Sequence, residues 1–202
     1  MFARNVAALA FACSMAVPLS ARADEAGAAR TFVEQENVRL EAALALSNPP
    51  QREEALRRVV RELVDFDAMT DRAFEGLSLS PAQSVEVHDL MRGALEQRTV
   101  RTLAESPAMA LACLGQKATA PHVVQVRVEA RSKSDVRAPS VRVDYVVRQE
   151  AGAFRVVDLR MEGASITEEY RRSLAAMLAP AGGGYARVVE SLRGSATRVA
   201  AR

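Results

Sequence analysis

Apolar residues change their spacing along this chain, and the changes divide it into elements. From Asp24 to Leu46 the spacing is helical, with Phe32, Glu36, Leu40 and Leu44 on one side and Val33 beside them, and "SNPP" stops the pattern. A second helix is predicted through "QREEALRRVVRELV", where Leu56, Val59, Val60, Leu63 and Val64 form a stripe among arginines and glutamates. "DFDAMTDRAF" predicts a third, ending near Gly76. Ser80, Pro81 and Gln83 make a strong start for a long fourth helix: a hydroxyl at the cap, proline at the first helical position and a glutamine to close a capping box. Its broad apolar face carries Val87, Leu90, Met91, Ala94, Leu95 and Leu103. "ESPAMALACLGQKATAP" reads as a transition with no clear period.

From His122 the period becomes two, as half-buried strands require. Val124, Val126, Val128 and Ala130 alternate with Gln125, Arg127, Glu129 and Arg131, and "SKSDVRAP" turns the chain. Val141, Val143, Tyr145 and Val147 mark the next strand, "QEAGA" a hairpin, and "FRVVDLRME" the strand after it. Strands so close in sequence are expected to pair antiparallel. Gly163 permits a sharp exit from the sheet, and Ser165 with Glu168 predicts a second capping box for a helix through Leu178. Pro180 and Gly182-Gly183-Gly184 end it, and "YARVVESL" supplies a last helix. The fold class expected is α+β: N-terminal helices packed on a curved antiparallel sheet of three to four strands, with two C-terminal helices, enclosing an apolar cavity.

The first residues need separate treatment. A basic start at Arg4, an apolar run from Val6 to Leu19 and then Ala21-Arg22-Ala23 have the order of a secretory signal peptide, residues 1–23, with cleavage after Ala23. Residues 24–202 then form one domain, expected in the periplasm. Cys13 raises acylation, but Ala10-Phe11-Ala12 before it fits that signal poorly. Without Cys13 only Cys113 remains, so no disulfide can form within the mature chain. The chain has 27 Lys+Arg and 25 Asp+Glu; losing Arg4 and Arg22 leaves 25 against 25. A balanced chain is a poor nucleic-acid binder.

Candidate chemistry is sparse. The two histidines, His88 and His122, lack partners at metal-ligand spacing, so no metal is expected. No nucleophile elbow or phosphate loop occurs, and Cys113 sits in an apolar stretch that suits a buried thiol. No catalytic residue, enzyme activity or cofactor is expected. One enzymatic alternative has a physical basis, a cavity isomerase pairing Tyr145 with Asp144 or Asp158, although Asp144 alternates to the opposite face. A periplasmic adaptor with a solid core is the other alternative.

Taken in order, "FDAMTDRAFEGLSLSPAQ", "VRVDYVVRQEAGAFRVVDLRMEGASITEEYRRSL" and "GGGYARVVESLRG" resemble the MlaC-type, or toluene-tolerance, family of periplasmic phospholipid-binding proteins. The shared pattern is a Phe-Asp before a helix, a glycine and then Ser-Pro-x-Gln, a strand with Asp158 leading into Glu162-Gly163-x-Ser165, Tyr170-Arg171, and a glycine before the last helix. The chain departs at "GLSL", where the family often has tryptophan. The resemblance implies a shuttle for phospholipid between an outer-membrane lipoprotein complex and an inner-membrane ABC transporter with its lipid-channel subunit. It also implies an acyl pocket lined by Val124, Val126, Val128, Val143, Tyr145 and Val147 from the sheet, with Met91, Leu95 and Met161 from neighbouring elements and Phe66 and Phe74 closing one end. Gly163 and Ser165 would hold the strand-to-helix corner.

Overall fold

The computed structural model describes residues 19–135 and 137–197. The expected signal peptide, apart from its last residues, and Cys13 lie outside them. The first helix, α1 (Leu19–Leu44), buries Ala26, Ala29, Val33, Leu40 and Leu44 along one stripe. Helix α2 (Pro49–Leu63) follows, capped by the Asn48 side chain accepting from the Gln51 amide, and it buries the expected Leu56, Val59, Val60 and Leu63. Asp65 caps α3 (Phe66–Phe74) through the Ala68 amide. Both halves of the predicted box are present on α4 (Pro81–Glu105): Ser80 Oγ accepts from the Gln83 amide, and Gln83 Oε1 accepts from the Ser80 amide. Caps of this kind contribute about 1 kcal/mol each, so they set the helix boundaries more than they hold the fold.

The sheet has sequential antiparallel order: β1 (Met109–Ala120), β2 (Val123–Ser132), β3 (Val141–Glu150), β4 (Ala153–Met161) and a two-residue β5 (Ala164–Ser165). Strand β1 corrects the sequence reading, which left residues 105–121 as a transition. Met109, Leu111 and Cys113 turn inward and Ala110, Ala112 and Leu114 outward, so apolar residues on both sides hide the alternation. A bulge between Cys113 and Gly115 then breaks its period. The β3–β4 hairpin turns at Ala151 and Gly152, both at positive φ as a tight two-residue connection requires.

After β4 the chain turns at Glu162 and Gly163, again at positive φ, and enters α5 (Ile166–Leu178). Ser165 Oγ accepts from the Glu168 amide at 3.0 Å, which is one half of the expected capping box. The other half is not made, because the Glu168 carboxylate is bound by Arg171 at 2.7 and 2.8 Å. A short 3₁₀ turn (Pro180–Gly182) leads to α6 (Gly184–Thr197), which packs on α4 and α5.

Two links tie the helices to the sheet. Helix α1 lies along β1 and β2, where Glu41 accepts from the Leu111 amide at 2.8 Å and from Lys133 Nζ at 2.7 Å. Burial alone would raise the Glu41 carboxyl, but these two partners outweigh it and hold the group below the usual carboxylate range. On the far edge, Val64 bridges Val156 and the Asp65 amide donates to the Val156 carbonyl at 2.9 Å, so the α2–α3 junction is fastened to β4.

Candidate functional site

The register sorts the inward face into three rows across the sheet. One row is Ala118, Val124, Val147 and Val156; the next is Gln116, Val126, Tyr145 and Leu159; the third is Cys113, Val128, Val143 and Met161. β-Branched residues favour such positions because their stiff side chains pack on a pleated surface. The result is a largely aliphatic wall with Tyr145 in its middle row, and the three rows hold seven of the residues expected to line an acyl pocket.

Exposure is graded along this wall. Val124, Val147 and Val156 are at 1% or less, whereas Met161, at the corner of the third row, is 49% exposed. Val143, between Val128 and Met161, is only partly buried. At the opposite end Phe32 of α1 and Phe154 of β4 meet with ring centroids 5.9 Å apart. The sheet is thus shut by aromatic rings at one end and more open at the Val143–Met161 corner, beside the turn into α5.

Val33 and Leu40 of α1, Leu56, Val60 and Leu63 of α2, and Met91 and Leu95 of α4 share one core with the wall. Met91 and Leu95 therefore join the sheet residues as expected. Phe66 is buried in the same core at the start of α3. Phe74 is partly buried and lines an outer groove of about 460 Å³, together with Val157, Asp71, Arg72, His88 and Arg148. Met161 is the one expected lining residue placed largely in solvent. Phe32 and Asn37, on α1, were not expected at the site. Phe32 was legible only as part of a helical stripe, and its partner on β4 is a tertiary contact.

Asn37 breaks the α1 stripe of Ala29, Val33 and Leu40 with an amide that is 3% exposed. Its Nδ2 lies 3.8 Å from Cys113 Sγ, and its Oδ1 is buried without a hydrogen-bond partner. An unsatisfied buried amide costs about 1–3 kcal/mol. Burial pushes the Cys113 thiol up, Glu34 adds to the shift and Arg30 opposes it, so the sulfur keeps its proton at neutral pH.

The outer face of the sheet carries the charge. Asp144, 6% exposed, accepts from Gln125 Nε2 at 2.7 Å and Arg127 Nε at 2.9 Å. Asp158, 0% exposed, accepts from the Leu159 amide at 2.9 Å, Ser165 Oγ at 2.7 Å, and the Thr167 amide and hydroxyl at 3.2 and 2.8 Å. This carboxylate is what fixes the strand-to-helix corner, and it sits at the positive end of α5. Tyr145 faces inward, and burial pushes its phenol up to about 12, so it remains neutral. The register sets both carboxylates on the face opposite Tyr145, so the geometry needed for the isomerase reading is not assembled.

His88 Nε2 is 3.1 Å from Asp71 on the outside of the helices, as a solvated helix face implies. Among the described residues no group of three His, Cys, Asp or Glu side chains could hold a metal ion, and no helix is long and apolar enough to cross a membrane.

A family model described as MlaC protein matches residues 35–194 of the chain. No curated protein sequence matches it. Among solved structures, the phospholipid-binding protein from Ralstonia solanacearum, in complex with a phospholipid, has the same fold with a TM-score of 0.68. Identity to that protein is 20%, over 85% of this chain and 98% of the other.

Proposed function

Because the chain belongs to the MlaC family, we propose that it is an exported phospholipid carrier, taking up the acyl chains of one lipid between its sheet and its helices. The observation that carries this reading is the inward aliphatic wall, unbroken by charge from Val124 to Val143 and more exposed at one end. The phospholipid bound by the Ralstonia solanacearum protein of the same fold supports it.

The energetics suit a carrier. Each buried CH₂ is worth about 0.8 kcal/mol, so two sheltered acyl chains gain on the order of 20 kcal/mol relative to water. Nearly the same gain is available in a bilayer, so exchange between protein and membrane is close to balance. Direction must therefore come from partners. The reading assigns these as an inner-membrane ABC transporter with its lipid-channel subunit and an outer-membrane lipoprotein complex, with the chain moving between them in the periplasm.

Loading requires the helices to separate from the wall, since Val126, Val128 and Val147 are at 1% or less exposed and already packed in the common core. The separation exchanges side-chain contacts for acyl-chain contacts of similar strength. The head group stays at the Val143–Met161 corner, in reach of solvent.

Transfer between vesicles tests the shuttle directly. With a fluorescent phospholipid in donor vesicles and unlabelled acceptors, the protein is expected to accelerate transfer in proportion to its concentration and without ATP. A protein that binds only other proteins would leave the rate at its spontaneous value, and that result would reject the proposal.

A further inference from the structure

Asn37 is a polar side chain at a position where the helical repeat calls for an apolar one, between Val33 and Leu40 and facing β1. Its amide is buried, and one end of it has no partner. A leucine would fill the same space without that penalty, so the amide needs a reason to be there.

The partner it does have indicates which end is available. A half-turn of the amide exchanges oxygen and nitrogen with little steric change. With Nδ2 against Cys113 Sγ, at 3.8 Å, a good donor meets a weak acceptor. Turned over, the thiol S–H donates to Oδ1, and Cys113 has that hydrogen because burial keeps it protonated. The N–H donors of Asn37 then point to the place where Oδ1 is unpartnered. What fits them is a ligand atom that accepts and carries no charge.

The level of Asn37 in the sheet agrees with such a ligand. Cys113 belongs to the row of Val128 and Val143 that ends at the exposed Met161. The bulge next to Cys113 marks the same level on β1. Glu34 and Arg30, paired at 2.7 Å and partly exposed, lie one and two turns before Asn37 on α1, with Arg30 reaching Gln116 at the level of Val126.

Resting on the carrier reading above, we propose that Asn37 is the ester anchor of the lipid site, donating from Nδ2 to an acyl-ester carbonyl of the bound phospholipid. The anchor fixes the depth of the lipid without choosing among head groups. It makes the protein selective for ester-linked over ether-linked chains.

The test is competition between diester and diether phosphatidylcholine of equal chain length, offered in mixed vesicles and read by native mass spectrometry of the protein. The wild type is expected to take the diester lipid with roughly three- to tenfold preference, the worth of one hydrogen bond. Asn37→Leu is expected to take both equally and to melt at a higher temperature, since it removes an unpaired amide from the core; a purely structural asparagine would do the opposite. Equal uptake by the wild type overturns the anchor, as does a preference retained in Asn37→Leu. The wild-type ratio decides the matter alone if the variant does not fold. Uptake of neither lipid overturns the carrier reading and the anchor with it.

Discussion

Val143→Arg is expected to fold and to lose its phospholipid, while Val126→Arg is expected to lose both lipid and several kcal/mol of stability. The two valines face the same way on adjacent strands but differ in depth. Val126 is 0% exposed, in the middle row between Gln116 and Tyr145, and an arginine there has no route to water. Val143 lies beside the exposed Met161, so an arginine at that position can run its stem along the wall and place its guanidinium at the corner. The charge then stands where the acyl chains enter. Lipid content by mass spectrometry and thermal unfolding by circular dichroism, measured on both variants, separate the effects. Wild-type lipid content in folded Val143→Arg would remove that side chain from the entrance.

The second large effect is expected at Asp158→Ala. Four hydrogen bonds converge on this carboxylate, from Leu159, Ser165 and Thr167, and both Asp158 and Thr167 are buried. Removing it strands buried donors at the start of α5, which costs about 3–5 kcal/mol. For a chain of this size that lowers the melting temperature by about 10 °C. Asp158→Asn keeps one acceptor oxygen and is expected to lose clearly less. Equal melting temperatures for wild type and Asp158→Ala would mean that the strand-to-helix corner is held by something other than this carboxylate.

The corner also shows how far sequence can be read. Gly163, Ser165 and the end of the helix at Leu178 announce themselves locally, through a residue that tolerates positive φ, a capping hydroxyl and a following proline. The carboxylate that organises the corner does not, because nothing in the spacing of "VVDLRM" says that Asp158 is buried. That depends on Thr167 and Ser165 returning over it, a tertiary arrangement.

The sheet divides in the same way. Strands β2 and β3 alternate valine with charge, and their inward sets were legible residue by residue. Strand β1 was not, since alanine and Leu114 occupy its outer positions and the bulge shifts its phase. Burial of Asp144 and Val146 on the outer face of β3 also escapes a period-two reading, which assigns one face to solvent. Of the site, the valine wall and Met91 with Leu95 could be read from periodicity. Asn37 could not, because an isolated polar residue in a helical stripe looks like an interruption until the strand opposite it is known. The Phe32–Phe154 contact joins the first helix to the fourth strand and leaves no local trace.

A phospholipid carrier of this fold must accept acyl chains between its sheet and its helices. Native mass spectrometry of the protein, purified under mild conditions and then incubated with phospholipid vesicles, measures this most directly. One phospholipid per chain is expected, displaced together with the fold when the helices are melted from the sheet. A chain that carries no lipid from its host, takes none from vesicles and is otherwise correctly folded would contradict it.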